Sequence, residues 1–410
     1  MSSQSAGVGE MPSRSIWSAQ FVALIFVSFL YSMGQVTINT ILPLYAYDLG
    51  ISASIIGTVI GAFAITALCI RPFSGPAFDS FSKRKLLMAV YALTSVCTFL
   101  YAFASTVPQL LVLRLFHGAG IGCANALCLA MASETLPPER MSSGISIFTL
   151  AQALAQTVAP ALSIWLSRII GYAPTFMASA ASMVAALLVV VFVLRDPEGV
   201  TRPPYQIRLD RIIAKRAIVP AVILLFFSMS YSSTGSFVAI YGGLRGVEQI
   251  GLYFTVYAAC MLVTRPVFGR LSDRFGINAV LFPSMACFAL SFALLKFSDS
   301  LTMFMLSGAV AACGYGGSLP LVQTLVFKCV PKGARGSGSN TSYIGMDIGA
   351  MCGPVIGGWV IEAFMSAGAS EVVAFSQMWL VMIVPVALAF VFLLTQRSRL
   401  ARYEAEAREI

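Results

Sequence analysis

Residues 71–79 read Arg-Pro-Phe-Ser-Gly-Pro-Ala-Phe-Asp, and residues 265–273 read Arg-Pro-Val-Phe-Gly-Arg-Leu-Ser-Asp. The two stretches lie 194 positions apart. The same offset, without a gap, pairs Tyr47 with Tyr241, Ile56 with Ile250, Gly57 with Gly251, Phe81 with Phe275, Gly120 with Gly314, Gly122 with Gly316, Pro137 with Pro331, Gly144 with Gly338, Pro160 with Pro354 and Trp165 with Trp359. One register held from Tyr47 to Trp165 marks an internal repeat, so the chain is two copies of one unit.

Of the 410 residues, 58% are hydrophobic and 10% charged, against roughly 25% charged in a soluble domain. Apolar runs of about twenty residues, each long enough to cross a hydrocarbon core as a helix, recur along the whole length. Their cores fall at 19–44, 54–74, 86–104, 109–132, 142–166, 174–194, 217–241, 249–270, 279–297, 301–328, 338–364 and 372–395. The expected fold is therefore an all-α membrane protein of twelve transmembrane helices. Six helices per copy give both copies the same orientation, as two parallel-repeat bundles facing each other across an axis along the bilayer normal. The expected organisation is a leader over 1–16, a first bundle over 17–194, a linker over 195–216 with Pro197, Pro203 and Pro204, a second bundle over 217–395 and a tail over 396–410. The first apolar run is too long for a removable signal peptide, lacks a small-residue cleavage site after it, and is expected to remain as the first helix.

The net charge of +9 reads as orientation and not as nucleic-acid binding. Placing both termini in the cytoplasm leaves only Arg114, Arg168, Arg245 and Lys296 deep or outside, which satisfies the positive-inside rule. All nine cysteines fall within or at the ends of apolar runs, with no Cys-x-x-Cys pair, so neither a disulfide framework nor a metal site is indicated. No phosphate-binding loop or catalytic triad spacing is present, so no ATP-driven step, cofactor or covalent catalysis is expected and the chain reads as a non-enzyme. Two bundles about a midplane site suit alternating access driven by a gradient.

Around the opening motif, Gly75, Asp79 and Arg84 at the junction of helices 2 and 3, echoed by Gly269, Asp273 and Arg274, combine close helix approach with breakable ion pairs. They read either as a gate latch or as a loop of fixed shape carrying solvated charge. These residues resemble the loop 2–3 signature of the major facilitator superfamily, repeated at loop 8–9 as in that family; the likeness covers essentially the whole chain. It implies that family's fold and a monomer. The sequence departs from the family pattern at Ser82, where glycine is usual, and at Ile277 and Asn278, where basic residues are usual. The Glu134 and Glu139-Arg140 pair closing helix 4 resembles acidic and Pro-Glu-Arg residues of the family, and Glu134 and Arg140 are assigned to gating or to anchoring at the headgroups.

Arg114, with Gly118, Gly120 and Gly122 behind it, resembles the family's Arg-x-x-x-Gly-x-Gly element of proton-linked members. It lies roughly 9 Å inside the outer end of helix 4 at 1.5 Å per residue. An intramembrane arginine faces a cavity or a partner; here it binds substrate, holds a counter-ion, or is bonded to backbone carbonyls. His117, the single histidine, stands one turn away and is a candidate for proton coupling or a packed neutral ring. Asp347 on helix 11, about 12 Å from the cytoplasmic end, is the clearest intramembrane carboxylate. It is assigned to proton coupling, with a structural pair to a neighbouring helix as the other reading. A direct Arg114–Asp347 bond is not expected.

Helix 11 carries Gly349-x-x-x-Gly353-Pro354, a packing seam with a bend. Helix 5 carries Ala155-x-x-x-Ala159-Pro160, which keeps the small-residue spacing and proline of the family's antiporter motif but not its glycines. Gln35, Asn39, Asn125, Gln152, Gln156, Tyr231, Tyr257, Tyr315, Gln323 and Tyr343 join Arg114 as candidate substrate-lining residues, each equally readable as interhelical glue. The resulting expectation is a secondary transporter of the bacterial inner membrane resembling the twelve-helix drug:proton antiporter branch, exporting a small organic compound against protons. The alternatives are proton-coupled or facilitative uptake of an organic anion, and a non-transporting membrane sensor.

Overall fold

The computed structural model describes residues 17–137, 141–196, 204–206, 213–330 and 335–408. Twelve helices among them are long and apolar enough to cross a membrane. They are α1 (Ala19–Asp48), α2 (Ala53–Ser80), α3 (Lys83–Leu100), α4 (Val107–Glu134), α5 (Met141–Ile170) and α6 (Tyr172–Phe192) in the first half. The second half holds α7 (Ile218–Leu244), α8 (Gly251–Phe275), α9 (Ile277–Phe297), α10, α11 (Arg335–Ser366) and α12. Two helices are interrupted. α10 runs Leu301–Ala311, passes through a π-helical turn at Ala312–Gly316 and resumes at Gly317–Cys329, while α12 runs Glu371–Val381 and, after a break at Met382, Ile383–Arg408. An even number of crossings puts both chain ends on one face, called the terminal face below; the opposite one is the far face.

Helix is the solution lipid imposes, because a backbone polar group left unpaired in hydrocarbon costs several kcal/mol. Local chemistry sets the ends. Ser18 accepts from the Phe21 amide at 3.1 Å to start α1, and the Gln109 side chain accepts from the Ser105 and Thr106 amides to start α4. Between α8 and α9 a single residue, Gly276, ends one helix and begins the next with φ +86°, a left-handed conformation that favours glycine.

Side chains at the far ends of α5 and α11 show what the repeat preserves. Trp165 and Trp359, paired by the 194-residue offset, are 59% and 62% exposed. Indole rings so placed sit at the bilayer–water interface, which ties this repeat identity to the membrane and not to the interior.

The two halves meet where small residues admit backbone to backbone. A Cβ on Gly57 of α2 would stand 2.0 Å from the Pro354 carbonyl oxygen of α11, one on Gly61 2.6 Å from the Met351 oxygen, and one on Gly358 2.2 Å from the Ala53 oxygen. On its other side α11 packs inside its own half, with Gly345, Gly349 and Gly353 against the carbonyls of Ala221, Leu225 and Met229 of α7. The second seam joins α8 to α5: Gly251 lies against Ala161, and Thr255 Oγ1 donates to the Thr157 oxygen at 3.1 Å. At the far face Tyr47 of α1 donates from its hydroxyl to Glu371 Oε1 of α12 at 2.6 Å. These contacts close the far side.

The Tyr47–Glu371 bond crosses between halves at the closed far face, so parting the halves there must break it. Tyr47→Phe removes about 1 kcal/mol, and a roughly fivefold shift toward the far-side-open state follows. Labelling of a cysteine placed at Ser54, in a cysteine-free background, by a membrane-impermeant maleimide reads the shift; an unchanged rate would show that the bond does not bias the gate.

Candidate functional site

Between the halves, on the terminal side of these contacts, lies a cavity of about 410 Å³. α1 contributes Gln35 and Asn39, α4 Arg114 and Asn125, α5 Gln152, Gln156 and Pro160, α7 Tyr231, α8 Tyr257, α10 Tyr315, and α11 Asp347 and Pro354.

The first half presents amides and one guanidinium. Thr66 Oγ1 of α2 donates to the Leu115 oxygen of α4 at 2.6 Å, and Gly118 meets the Phe63 backbone with no room for a Cβ. α4 is thereby held at a rotation that turns Arg114 to the cavity wall. Its Nη2 donates to Asn39 Oδ1 at 3.0 Å, and the guanidinium stands 4.8 Å from the Phe63 ring centroid. Nε and Nη1 have no hydrogen-bond partner among the described residues, the Tyr101 side chain lies beside the guanidinium, and the residue is 1% exposed.

Tyrosine dominates the second half's wall. Tyr231 and Tyr315 are stacked with centroids 4.1 Å apart and planes 3° from parallel, and Tyr257 lies 5.8 Å from Tyr231. Tyr315 reaches this position from the π-helical turn of α10, a local widening often found at functional sites. Gly314, Gly316 and Gly317 accommodate it, since a Cβ on any of them would strike Phe288, Met261 or Phe268.

Among the described residues an ion pair spans the halves, with its carboxylate in the cavity wall. Arg71 Nε of α2 donates to Asp347 Oδ2 of α11, and Nη2 donates to Oδ1 at 3.1 Å. The Arg71 guanidinium also lies 4.8 Å from the ring centroid of Tyr343, one helical turn before Asp347 on the same face of α11. A planar fork matched to a carboxylate on one side and a ring on another is an arginine arrangement that lysine does not reproduce. Charge counting by the positive-inside rule puts Arg71 among the cytoplasmic residues; the structure instead places it within α2, about 14 Å from that helix's terminal end. Its sequence signal was its position before Pro72. Proline removes a backbone hydrogen bond inside the helix, but that does not identify a partner 276 residues away.

The other sequence candidates disperse. His117 is fully buried, with neither ring nitrogen bonded among the described residues and the Tyr101 ring 5.9 Å away; it does not line the cavity. Gln323 and Tyr343 do not line it either. Arg84 donates to the Val190 and Val191 oxygens in the last turn of α6, a C-terminal staple within the first half. Glu134 pairs with Lys83 at the start of α3. Arg274 stands beside its neighbour Phe275, and a Cβ on Gly269 would meet nothing within 4 Å. The surroundings of Gly75, the side chains of Asp79 and Asp273, and all of Arg140 lie outside what the structure describes. Ser82, where the family pattern has glycine, caps α3 by accepting from the Lys85 amide at 3.1 Å and donates to Asp196, two bonds glycine could not make.

Comparison with known proteins agrees with this architecture. A family model described as Major Facilitator Superfamily matches residues 24–248 and 221–409. The chain is 21% identical over 254 residues to the staphylopine export protein of Staphylococcus aureus (strain Mu50 / ATCC 700699), an alignment covering 60% of this chain and 64% of that protein, just under two thirds of its length. It is 22% identical over 367 residues to the quinolone resistance protein NorA of Staphylococcus aureus (strain MSSA476), covering 85% of this chain and 91% of that one. To multidrug resistance protein 1 of Bacillus subtilis (strain 168) it is 22% identical over 360 residues, covering 86% and 91%. Among solved structures, the nucleoside transporter NupG superposes with a TM-score of 0.77 at 16% identity over 91% of this chain and 98% of that one. A bacterial homolog to the human lysosomal transporter Spinster, in an inward-facing and unoccupied conformation, gives 0.76 at 15% over 97% and 98%. At such identity the structures speak for the fold alone.

Proposed function

The chain belongs to the Major Facilitator Superfamily, a multi-pass bacterial membrane transporter and not an enzyme, and from that premise we propose that it is a proton-coupled antiporter exporting a small organic, amphipathic compound by alternating access. The observation that carries this reading is the Arg71–Asp347 pair, the cavity-wall carboxylate bound across the boundary between the two halves. A charge pair in a water-poor wall is strong only while both partners are charged. A proton on Asp347 neutralises the carboxylate, frees the Arg71 fork and loosens a tie between α2 and α11. Proton binding and the relative position of the halves are then one equilibrium, as coupling requires. Export relatives favour the outward direction.

Lys83, Arg84 and Lys85 stand at the terminal face, where α3 begins, so positive-inside orientation makes that face cytoplasmic. The far-side contacts then make this the inward-facing state, with the cavity reached from the cytoplasm. Phenol rings and amides supply a surface that takes both planar apolar and hydrogen-bonding parts of a solute.

The test is a reconstituted vesicle with a pH-sensitive dye inside and a graded series of amphipathic solutes outside. Exchange predicts proton movement opposite to the solute for every compound accumulated. Movement of proton and solute in the same direction would replace export by proton-coupled uptake, and flux with no proton movement would reject coupling.

A further inference from the structure

Arg114 makes a demand on the solute that the pair at Asp347 does not meet. An arginine carries five N–H donors, yet among the described residues its side chain's one hydrogen bond runs from Nη2 to Asn39; Nε and Nη1 are unpartnered, with the likewise unpartnered Tyr101 hydroxyl beside the guanidinium. The residue is 1% exposed and forms part of the cavity wall inside a membrane helix. A guanidinium there stays charged and normally finds a carboxylate or an array of oxygens.

The cavity's own carboxylate is committed elsewhere. Asp347 is held through both oxygens by Arg71, so no lining carboxylate is left to balance Arg114, and Arg265 adds a further positive charge near Tyr231, Tyr257 and Tyr315. Asn39 and Phe63 fix the Arg114 fork from α1 and α2, as a preorganised anion site requires, and the stacked Tyr231 and Tyr315 on the opposite half offer a flat surface for an aromatic body.

We propose that Arg114 is the recognition site for a carboxylate of the transported compound, and that the substrate class is aryl or acyl-aromatic organic acids, not lipophilic cations. The solute's carboxylate occupies the Nε and Nη1 donors while its ring packs against the tyrosines. This inference rests on the cavity being the transport site, and not on protons being the coupling ion.

Thermal stabilisation of the purified full chain, measured without any gradient, separates the two. The probes are 2-naphthoate, biphenyl-4-carboxylate and N-acetyltryptophan, each beside its primary amide and beside naphthyltrimethylammonium as a cation of similar size. The expected result is at least one acid bound roughly tenfold or more tightly than its amide, the range of hydrogen bonds to charged groups. In Arg114→Gln the difference between acid and amide disappears, while Arg114→Lys retains a reduced preference for the acid; unliganded melting of each variant reports that it is folded. Equal binding of acid and amide, preference for the cation, an unaltered acid preference in Arg114→Gln, or no stabilisation by any acid up to about 10 mM overturns the proposal. Because nothing in this measurement moves a proton, its failure leaves proton exchange at Asp347 standing, and failure of the dye experiment leaves the carboxylate site standing.

Discussion

Asp347→Asn is expected to leave a protein that still exchanges solute for solute but no longer concentrates it. One pH unit is worth about 1.4 kcal/mol per proton, or roughly a tenfold accumulation, and that factor falls to about one when the carboxylate cannot titrate. Solute counterflow, which needs no net proton movement, persists within a few-fold. The substitution also strands the Arg71 charge. Removing one partner of a buried pair costs about 3–5 kcal/mol, but side chains here are 15% and 13% exposed beside a cavity, which reduces the expected loss to about 1–3 kcal/mol. Pairing the change with Arg71→Gln restores most of that stability and none of the accumulation, a separation a purely structural salt bridge would not show. Gradient-driven accumulation that survives Asp347→Asn at full strength would remove Asp347 from the coupling step.

The second large effect belongs to the glycine seams, where equal steric insults should have different consequences. Gly57 faces the Pro354 oxygen of the other half, and Gly353 faces the Met229 oxygen of its own; in both a Cβ would stand 2.0 Å from the carbonyl. Backbone cannot rotate away as a side chain can, so valine at either position costs toward the upper end of overpacking, about 3 kcal/mol. At Gly57 that energy opposes only the far-side-closed state, and a more than hundredfold shift to the far-side-open state follows, with a folded protein and transport down to about one per cent. At Gly353 it opposes the bundle itself, and the loss appears in melting and yield. Spin-label distances across the far face, read beside thermal melts, distinguish the two; a Gly57→Val protein that closes normally would refute the seam as the contact that closes the far side.

Much of the architecture is written locally. Twelve apolar runs, their even division and the 194-residue register need only hydropathy and identity, because lipid forces each run to satisfy its own backbone as a helix. Gln35, Asn39, Asn125, Gln152 and Gln156 are legible as wall residues for a related reason: an amide inside an apolar run is costly against lipid and turns inward.

The ion pair between the halves is a different matter. Repeat logic conceals it, since the 194-residue offset sets Asp347 opposite Ala153, and Arg71 counts as one more basic residue near a helix end. The π-helical turn that delivers Tyr315 aligns with residues Gly118 to Gly122, which lie within the continuous helix α4. Sequence by itself determined the helices, their number and the two-fold repeat, which depend on each segment's own contact with lipid. Which face of each helix meets the cavity, and so which arginine holds Asp347 and which lines the wall without a carboxylate, was decided only by the tertiary structure, because rotation about a helix axis is set by where glycine lets another backbone approach.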